Sequence, residues 1–258
     1  MKVVIGIQAR TGSTRLPKKV LKKINKDFTL FHSIYNQLKH VSFPCEVVLN
    51  TSDNESEAEL IAHAKSIGLI SITGPVDDII TRLANIAITT KADYVMRIWG
   101  DCPFVCPDII DDMLKVMLER NWNFISNGDY YSRTLPPGLD VEIYSADLLL
   151  KMSSEVKDSK LREFPVEYIR KNVPEHLFGF WNISQNYSHI HLTIDYPQDF
   201  IAGTKLLDIL LANKDYFLSS DIYKLIDEKS EAIMAFSSDA RNMEYVEFLK
   251  KNEEKNGK

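Results

Sequence analysis

The chain has 258 residues, 45% hydrophobic and 26% charged, with a net charge of −5. That length buries a sizeable core and suits one large α/β domain or a domain with one insertion. A mildly acidic balance speaks against nucleic-acid binding, which rests mostly on phosphate neutralisation, and no apolar run approaches the roughly 18 residues of a membrane span. The N-terminal run Val3–Ile7 is too short for a signal-peptide core. Cysteines at positions 45, 102 and 106 suit a reducing cytoplasm better than a disulfide scaffold. An anionic ligand must therefore be met by a local basic patch.

Lys2 to Ile7 is a short β-branched run and reads as a buried central strand. After a loop, residues 28–41 read as a helix and Cys45 to Thr51 as a second strand. Ser52-Asp53-Asn54 offers N-cap chemistry for a helix over Glu55 to Ile67, with Gly68 just past its end. A strand over Leu69 to Thr73, a helical pattern over Val76 to Thr90 and a strand over Asp93 to Ile98 follow. Pro107 then opens a helix that runs to Arg120. Strand and helix alternate throughout this half, as in a mostly parallel, Rossmann-like sheet with helices on both faces. Right-handed crossovers place the strand C-termini along one edge, where ligands bind.

The second half is less regular. Strands are expected at Asn123–Asn127, Asp140–Tyr144 and His189–Asp195, and helices at 145–153, 159–172, 198–213 and 220–229. The layout is one domain over 1–240, with an insertion at about 122–190, and a charged helical tail over 241–258 that is expected to fray.

The loop Gln8-Ala-Arg-Thr-Gly-Ser-Thr-Arg-Leu-Pro-Lys-Lys19 carries Arg10, Arg15, Lys18 and Lys19 directly after the first strand. Gly12, Ser13 and Thr14 lie among them, small enough for backbone N–H groups to approach an oxyanion. Arginine forks add bidentate phosphate contacts and lysine a mobile charge, so the loop suits a triphosphate. A solvated basic turn is the plain alternative. The pattern is neither a P-loop nor a Gly-x-Gly-x-x-Gly fingerprint.

Two carboxylates fall at expected strand ends. Asp101 follows Gly100 in Arg97-Ile-Trp-Gly-Asp-Cys-Pro, and Asp195 stands in Leu192-Thr-Ile-Asp-Tyr-Pro-Gln-Asp199. Mg²⁺ takes one or two carboxylates plus phosphate oxygens and water, which both could supply. Capping is the alternative for each and is strongest for Asp199. Cys102 and Cys106 lack the further ligands a zinc site needs. His189 and His191 share a strand face, where a solvated or packed pair is the simpler account. A glycosidase also uses two carboxylates, but its chemistry gives no reason for the cation loop.

The loop resembles the signature of CMP-sugar synthetases. The similarity is strongest to 3-deoxy-manno-octulosonate cytidylyltransferases and the spore-coat-polysaccharide type. It implies the nucleotide-diphospho-sugar transferase fold, with the insertion carrying dimerisation and the acceptor region. It implies a homodimeric cytidylyltransferase that moves CMP from CTP to an acidic sugar, with Mg²⁺, for surface polysaccharide synthesis. Arg10, Lys19 and Asp101 are then the catalytic residues. Ala9, Arg10, Gly12, Ser13, Arg15, Lys19, Asp78, Arg82 and Asp101 hold nucleotide, and Asp101 and Asp195 hold metal. Lys18 occupies a place that is often glycine. Gly74-Pro-Val-Asp-Asp78-Ile-Ile-Thr-Arg82 resembles a family segment beside the nucleotide, although helix capping by Asp77 or Asp78 explains the acids equally well. Gly138-Leu-Asp140-Val-Glu142 and Arg162-Glu-Phe164 resemble segments near the sugar. Trp99, Glu142 and Arg162 are thus expected to bind acceptor, with Phe164 where the spore-coat type has histidine. A different nucleotide or acceptor, a glycosyltransferase with a related sheet, and a non-catalytic nucleotide binder are the competing readings. Fold alone does not separate them.

Overall fold

The computed structural model describes residues 1–26, 28–237 and 243–255. Among these residues seven strands form one mixed sheet: β1 (Val3–Gln8), β2 (Cys45–Ser52), β3 (Ser71–Gly74), β4 (Tyr94–Trp99), β5 (Phe124–Ser126), β6 (Val141–Ser145) and β7 (Phe178–Phe180), in the order β3-β2-β1-β4-β6-β5-β7. β1 pairs parallel with β2 and β4, and β2 with β3. β6 runs antiparallel between β4 and β5, while β7 pairs parallel with β5. The mostly parallel α/β sheet is therefore as expected, and the stretch 122–190 supplies β5, β6 and β7 to one end of it. Strand interiors such as Val4, Ile5, Ile7, Val95, Met96 and Ile98 are fully buried because helices cover both faces.

One face carries α1 (Leu30–Leu38), α4 (Pro107–Arg120), α8 (Pro197–Leu210) and α9 (Ser219–Asp227). The other carries α3 (Ile79–Thr90), α5 (Ala146–Glu155) and α7 (Pro165–Asn172). The helix ends follow local chemistry. Thr29 accepts from the His32 N–H at the start of α1 and Asp78 from the Thr81 N–H at the start of α3. Pro107 opens α4, and Asn121 closes it in the left-handed region (φ 52°). α2 (Ala58–Ser66) is preceded by a 3₁₀ turn over Glu55–Glu57.

Three expectations are corrected. The helix expected over 159–172 is two, α6 (Ser159–Glu163) and α7, because Pro165 steers Phe164 out of the helical region. β7 has no counterpart in the sequence reading, being three residues long. His189–Asp195 forms no strand. Its N–H groups go to separate loops, Leu192 to the Pro137 carbonyl and Ile194 to that of Asp101, so no ladder develops. Gly138 (φ 112°) makes room for this crossing, since a Cβ there would lie 2.6 Å from the Leu192 carbonyl carbon.

A short α10 (Glu231–Met234) and α11 (Met243–Lys255) complete the chain. The expected boundary at 240–241 lies outside the described residues. α11 is docked along the protein, with Leu249 buried at 3% exposure and Tyr245 hydrogen-bonded to Glu167. No helix among the described residues is long and apolar enough to cross a membrane.

Candidate active site

The loop after β1 is pinned from below. The buried Glu57 carboxylate accepts the Thr11 N–H at 2.8 Å, and Thr11 donates its hydroxyl to the Ser56 carbonyl. Ser13 Oγ accepts the Leu16 N–H at 3.3 Å, so Ser13 shapes the loop. Ala9 is buried against Gly100, and Arg10 and Gly12 are exposed. Lys18 sits at φ 53°, ψ 30°. That left-handed geometry is the one glycine adopts most readily, which accounts for glycine often standing there in the resembling family. Its ammonium pairs outward with Glu59.

Lys19 turns the other way. Its Nζ donates to Asp101 Oδ2 at 3.0 Å, to the Ile194 carbonyl at 2.7 Å and to Asp195 Oδ1 at 3.2 Å. Arg15 reaches the same Asp195 oxygen at 3.0 Å and lies over the Tyr196 ring. Burial lowers the Lys19 pKa, but Asp101 and Asp195 outweigh it and hold the ammonium above its ordinary value. The two acids meet because the Ile194 N–H bonds to the Asp101 carbonyl at 2.9 Å. Asp199 fixes the second from behind, accepting the Asp195 and Tyr196 N–H groups at 2.9 and 2.8 Å.

Both carboxylates converge on one point, and carboxylate oxygen is the donor type that Mg²⁺ or Mn²⁺ takes. Among the described residues no group of three or more His, Cys, Asp or Glu is placed so that it could hold a metal ion. A divalent ion here would have to complete its shell with phosphate oxygens or water. The Cys102 and Cys106 thiols are both buried, and burial first, then nearby carboxylates, pushes them well up.

Across the sheet edge, on the opposite face, lies a cationic group. Arg97 donates to Gln8 Oε1 at 2.6 Å and Glu142 Oε2 at 3.0 Å, and its guanidinium stacks on Trp99 at 4.3 Å. The buried Tyr144 hydroxyl also donates to Glu142, at 2.6 Å. Arg82 is 2% exposed, and its Nε has no hydrogen-bond partner among the described residues. Burial first, then the charges of Arg97 and Arg10, push it down to about 10. A buried guanidinium repelled by two others is stabilised by an anion.

Asp78 and Arg162 are drawn elsewhere. Arg162 donates to Asp78 and to Thr81 Oγ1, both at 2.7 Å, and to the Ser153 and Val156 carbonyls. Its guanidinium ties α6 to the start of α3 instead of joining Trp99 and Glu142. The sequence reading also passed over Gln8, Glu57, Tyr144, Asp129, Glu167, Arg170 and Tyr245. The spacing of Glu167 and Arg170 on one helix was the only local signal among them.

Comparison with known proteins gives this edge its context. A family model described as cytidylyltransferase matches residues 3–244. The spore coat polysaccharide biosynthesis protein SpsF of Bacillus subtilis is 28% identical over 75% of this chain and 81% of its own length. A cytidylyltransferase of Leptospira borgpetersenii superposes with a TM-score of 0.82 at 30% identity, covering 92% of this chain and 98% of that one. CMP:2-keto-3-deoxy-manno-octonic acid synthetase, solved with CTP, shares the fold with a TM-score of 0.63 at 18% identity, covering 82% of this chain and 100% of that one. The chain thus belongs to the cytidylyltransferase family and is a CTP-dependent nucleotidyltransferase.

Proposed function

We propose that the chain transfers CMP from CTP to an acidic sugar of the 2-keto-3-deoxy type, releasing pyrophosphate, in the synthesis of a surface polysaccharide or glycan. The carrying observation is the meeting of Lys19 and Arg15 with Asp101 and Asp195 at the strand edge. The triphosphate lies along the loop from Ala9 to Lys19, with Gly12 leaving space for it and Ser13 holding the loop's turn. Arg82 and Arg10 face its negative charge. The acceptor lies beyond, over Trp99 and Glu142. The acceptor hydroxyl attacks the α-phosphorus in line. A new P–O bond forms, the bond to the pyrophosphate oxygen breaks, and the hydroxyl proton is lost to solvent. Arg10, Arg15 and Lys19 stabilise charge on the departing pyrophosphate, as fixed cations do when aimed at where charge develops. Mg²⁺ on Asp101 and Asp195 would supply charge neutralisation at the phosphates and a lowered pKa for the attacking hydroxyl. A cytoplasmic homodimer, with 122–190 forming the dimer contact and acceptor region, completes this reading.

The test is pyrophosphate release with Mg²⁺, comparing CTP with UTP, GTP and ATP against a panel of 2-keto-3-deoxy sugar acids. Release should require CTP and one class of acid. Equal rates with a neutral sugar phosphate would replace the acceptor assignment.

A further inference from the structure

Beyond Glu142 lies a group of buried and half-buried charges that no motif marks. Asp129 and Glu167 are 4% and 5% exposed. Arg170 lies between them and pairs with both. Its guanidinium is held over the Phe180 ring at 4.4 Å and the Tyr131 ring at 5.3 Å. The group is adjacent to the acceptor end of the edge, because Ser126 stands opposite both Glu142 and Phe180 in the sheet register, and Asp129 follows three residues after Ser126. The last member comes from α11. Tyr245 donates its hydroxyl to Glu167 Oε1 at 2.9 Å. Its ring packs 5.1 Å from Phe164 and 6.1 Å from Tyr130, and Phe248 sits 5.2 Å from Phe164. Phe164, which departs from the histidine of the spore-coat type, is thus the apolar seat of this helix.

Burying three charged groups is expensive, and packed apolar residues would stabilise the fold as well or better. Such groups cluster where a ligand is recognised. Here they lie on the side of β6 away from β1 and its loop cations, and they combine aromatic rings, which suit the C–H surface of a sugar, with carboxylates, which suit its hydroxyl or amide hydrogens.

We propose that α11 is one wall of the acceptor pocket, and that Tyr245 is a positioning residue that sets acceptor choice through Glu167 and Arg170. This rests on the acidic-sugar reading above. The pocket's ligand is the hydroxyl- or amide-bearing carbon chain of the acceptor, distal to the reacting hydroxyl.

The experiment measures pyrophosphate release with CTP and the acid panel for the wild type, Tyr245→Phe and Glu167→Gln, with KM taken separately for CTP and acceptor. Loss of a hydrogen bond to a charged group should raise the acceptor KM about tenfold. The CTP KM should be unchanged, and the preference among acids should shift. A tyrosine that only braces the helix would lower the melting temperature and leave that preference alone. The inference is overturned when both variants keep the acceptor KM within about twofold and rank the acids as the wild type does. If one variant does not fold, the other decides. A wild type that uses no acid of the panel overturns the acceptor reading itself, and this inference with it; the two failures are told apart by whether the wild type turns over.

Discussion

Replacing Lys19 by methionine keeps the unbranched stem, one atom shorter, and removes the ammonium between two carboxylates. Asp101 and Asp195 then face each other without the charge that Nζ holds at 3.0 and 3.2 Å. Removing one partner of a buried ion pair costs about 3–5 kcal/mol. The lower end applies here. The Asp101 side chain is 28% exposed and can regain water, and Asp195 keeps Arg15 at 3.0 Å. A loss of about 3 kcal/mol lowers the melting temperature of a chain this size by roughly 6 °C or more. Turnover of the folded variant should fall as well, by about 10²–10³, because a fixed cation is lost where charge develops. Urea unfolding gives the first quantity, and pyrophosphate release at 25 °C, on protein shown to be folded by circular dichroism, gives the second. Added Mg²⁺ or Mn²⁺ should raise the melting temperature of the variant more than that of the wild type, because the two carboxylates then accept the ion without displacing an ammonium. A folded variant that releases pyrophosphate within about threefold of the wild type would refute the placement of Lys19 at the reaction.

Arg82→Met should leave stability unchanged or raise it, because Arg97 and Arg10 repel the buried guanidinium. CTP affinity should drop by about 10–100-fold; titration calorimetry showing no drop would remove Arg82 from the nucleotide site. Asp78→Asn should cost about 1–2 kcal/mol at neutral pH through the Arg162 pair, the α3 cap being kept because asparagine caps as well as aspartate. Burial raises the Asp78 pKa, but Arg162 and Thr81 outweigh it and lower it from the ordinary 3.8. The contribution is therefore present above 3.8 and is lost as pH falls through the lowered value. The melting-temperature gap between wild type and variant should close only in that acid range, and a gap that persists through it would count against the ion pair. Gly100→Ala places a Cβ 2.7 Å from the Ala9 Cβ and 3.0 Å from the Gln8 carbonyl oxygen. That overpacking should cost about 1–3 kcal/mol in urea unfolding, and an unchanged midpoint would show that β1 and β4 yield there.

The parts of the site visible in the sequence are those that one strand and its following loop define. Gln8 to Lys19 shows its chemistry because the cations and small residues are contiguous. Asp101 shows because a β-branched strand, a glycine and a proline bracket it. His189–Asp195 carries the same alternation as a strand, but its hydrogen bonds divide between Pro137 and Asp101. Alternation reports which side chains are buried, and Leu192 and Ile194 are. It does not report whether a neighbouring strand is present. Arg162 shows the converse. Its family-like context suggested a ligand contact, whereas its partners Asp78 and Thr81 lie about eighty residues earlier and make it a tie.

By itself the sequence determined the alternation of strands and helices, the parallel sheet and the basic loop at its edge, since each follows from residues near one another in the chain. Only the tertiary structure decided that Lys19 stands between Asp101 and Asp195, that Arg82, Arg97 and Arg10 share a field, and that Tyr245 returns from the far end of the chain to Glu167. The Lys19 and Tyr245 pairs are 78 to 176 residues apart. Which distant charges meet is set by chain crossings such as the bond from Ile194 to Asp101, and local propensity carries no record of those.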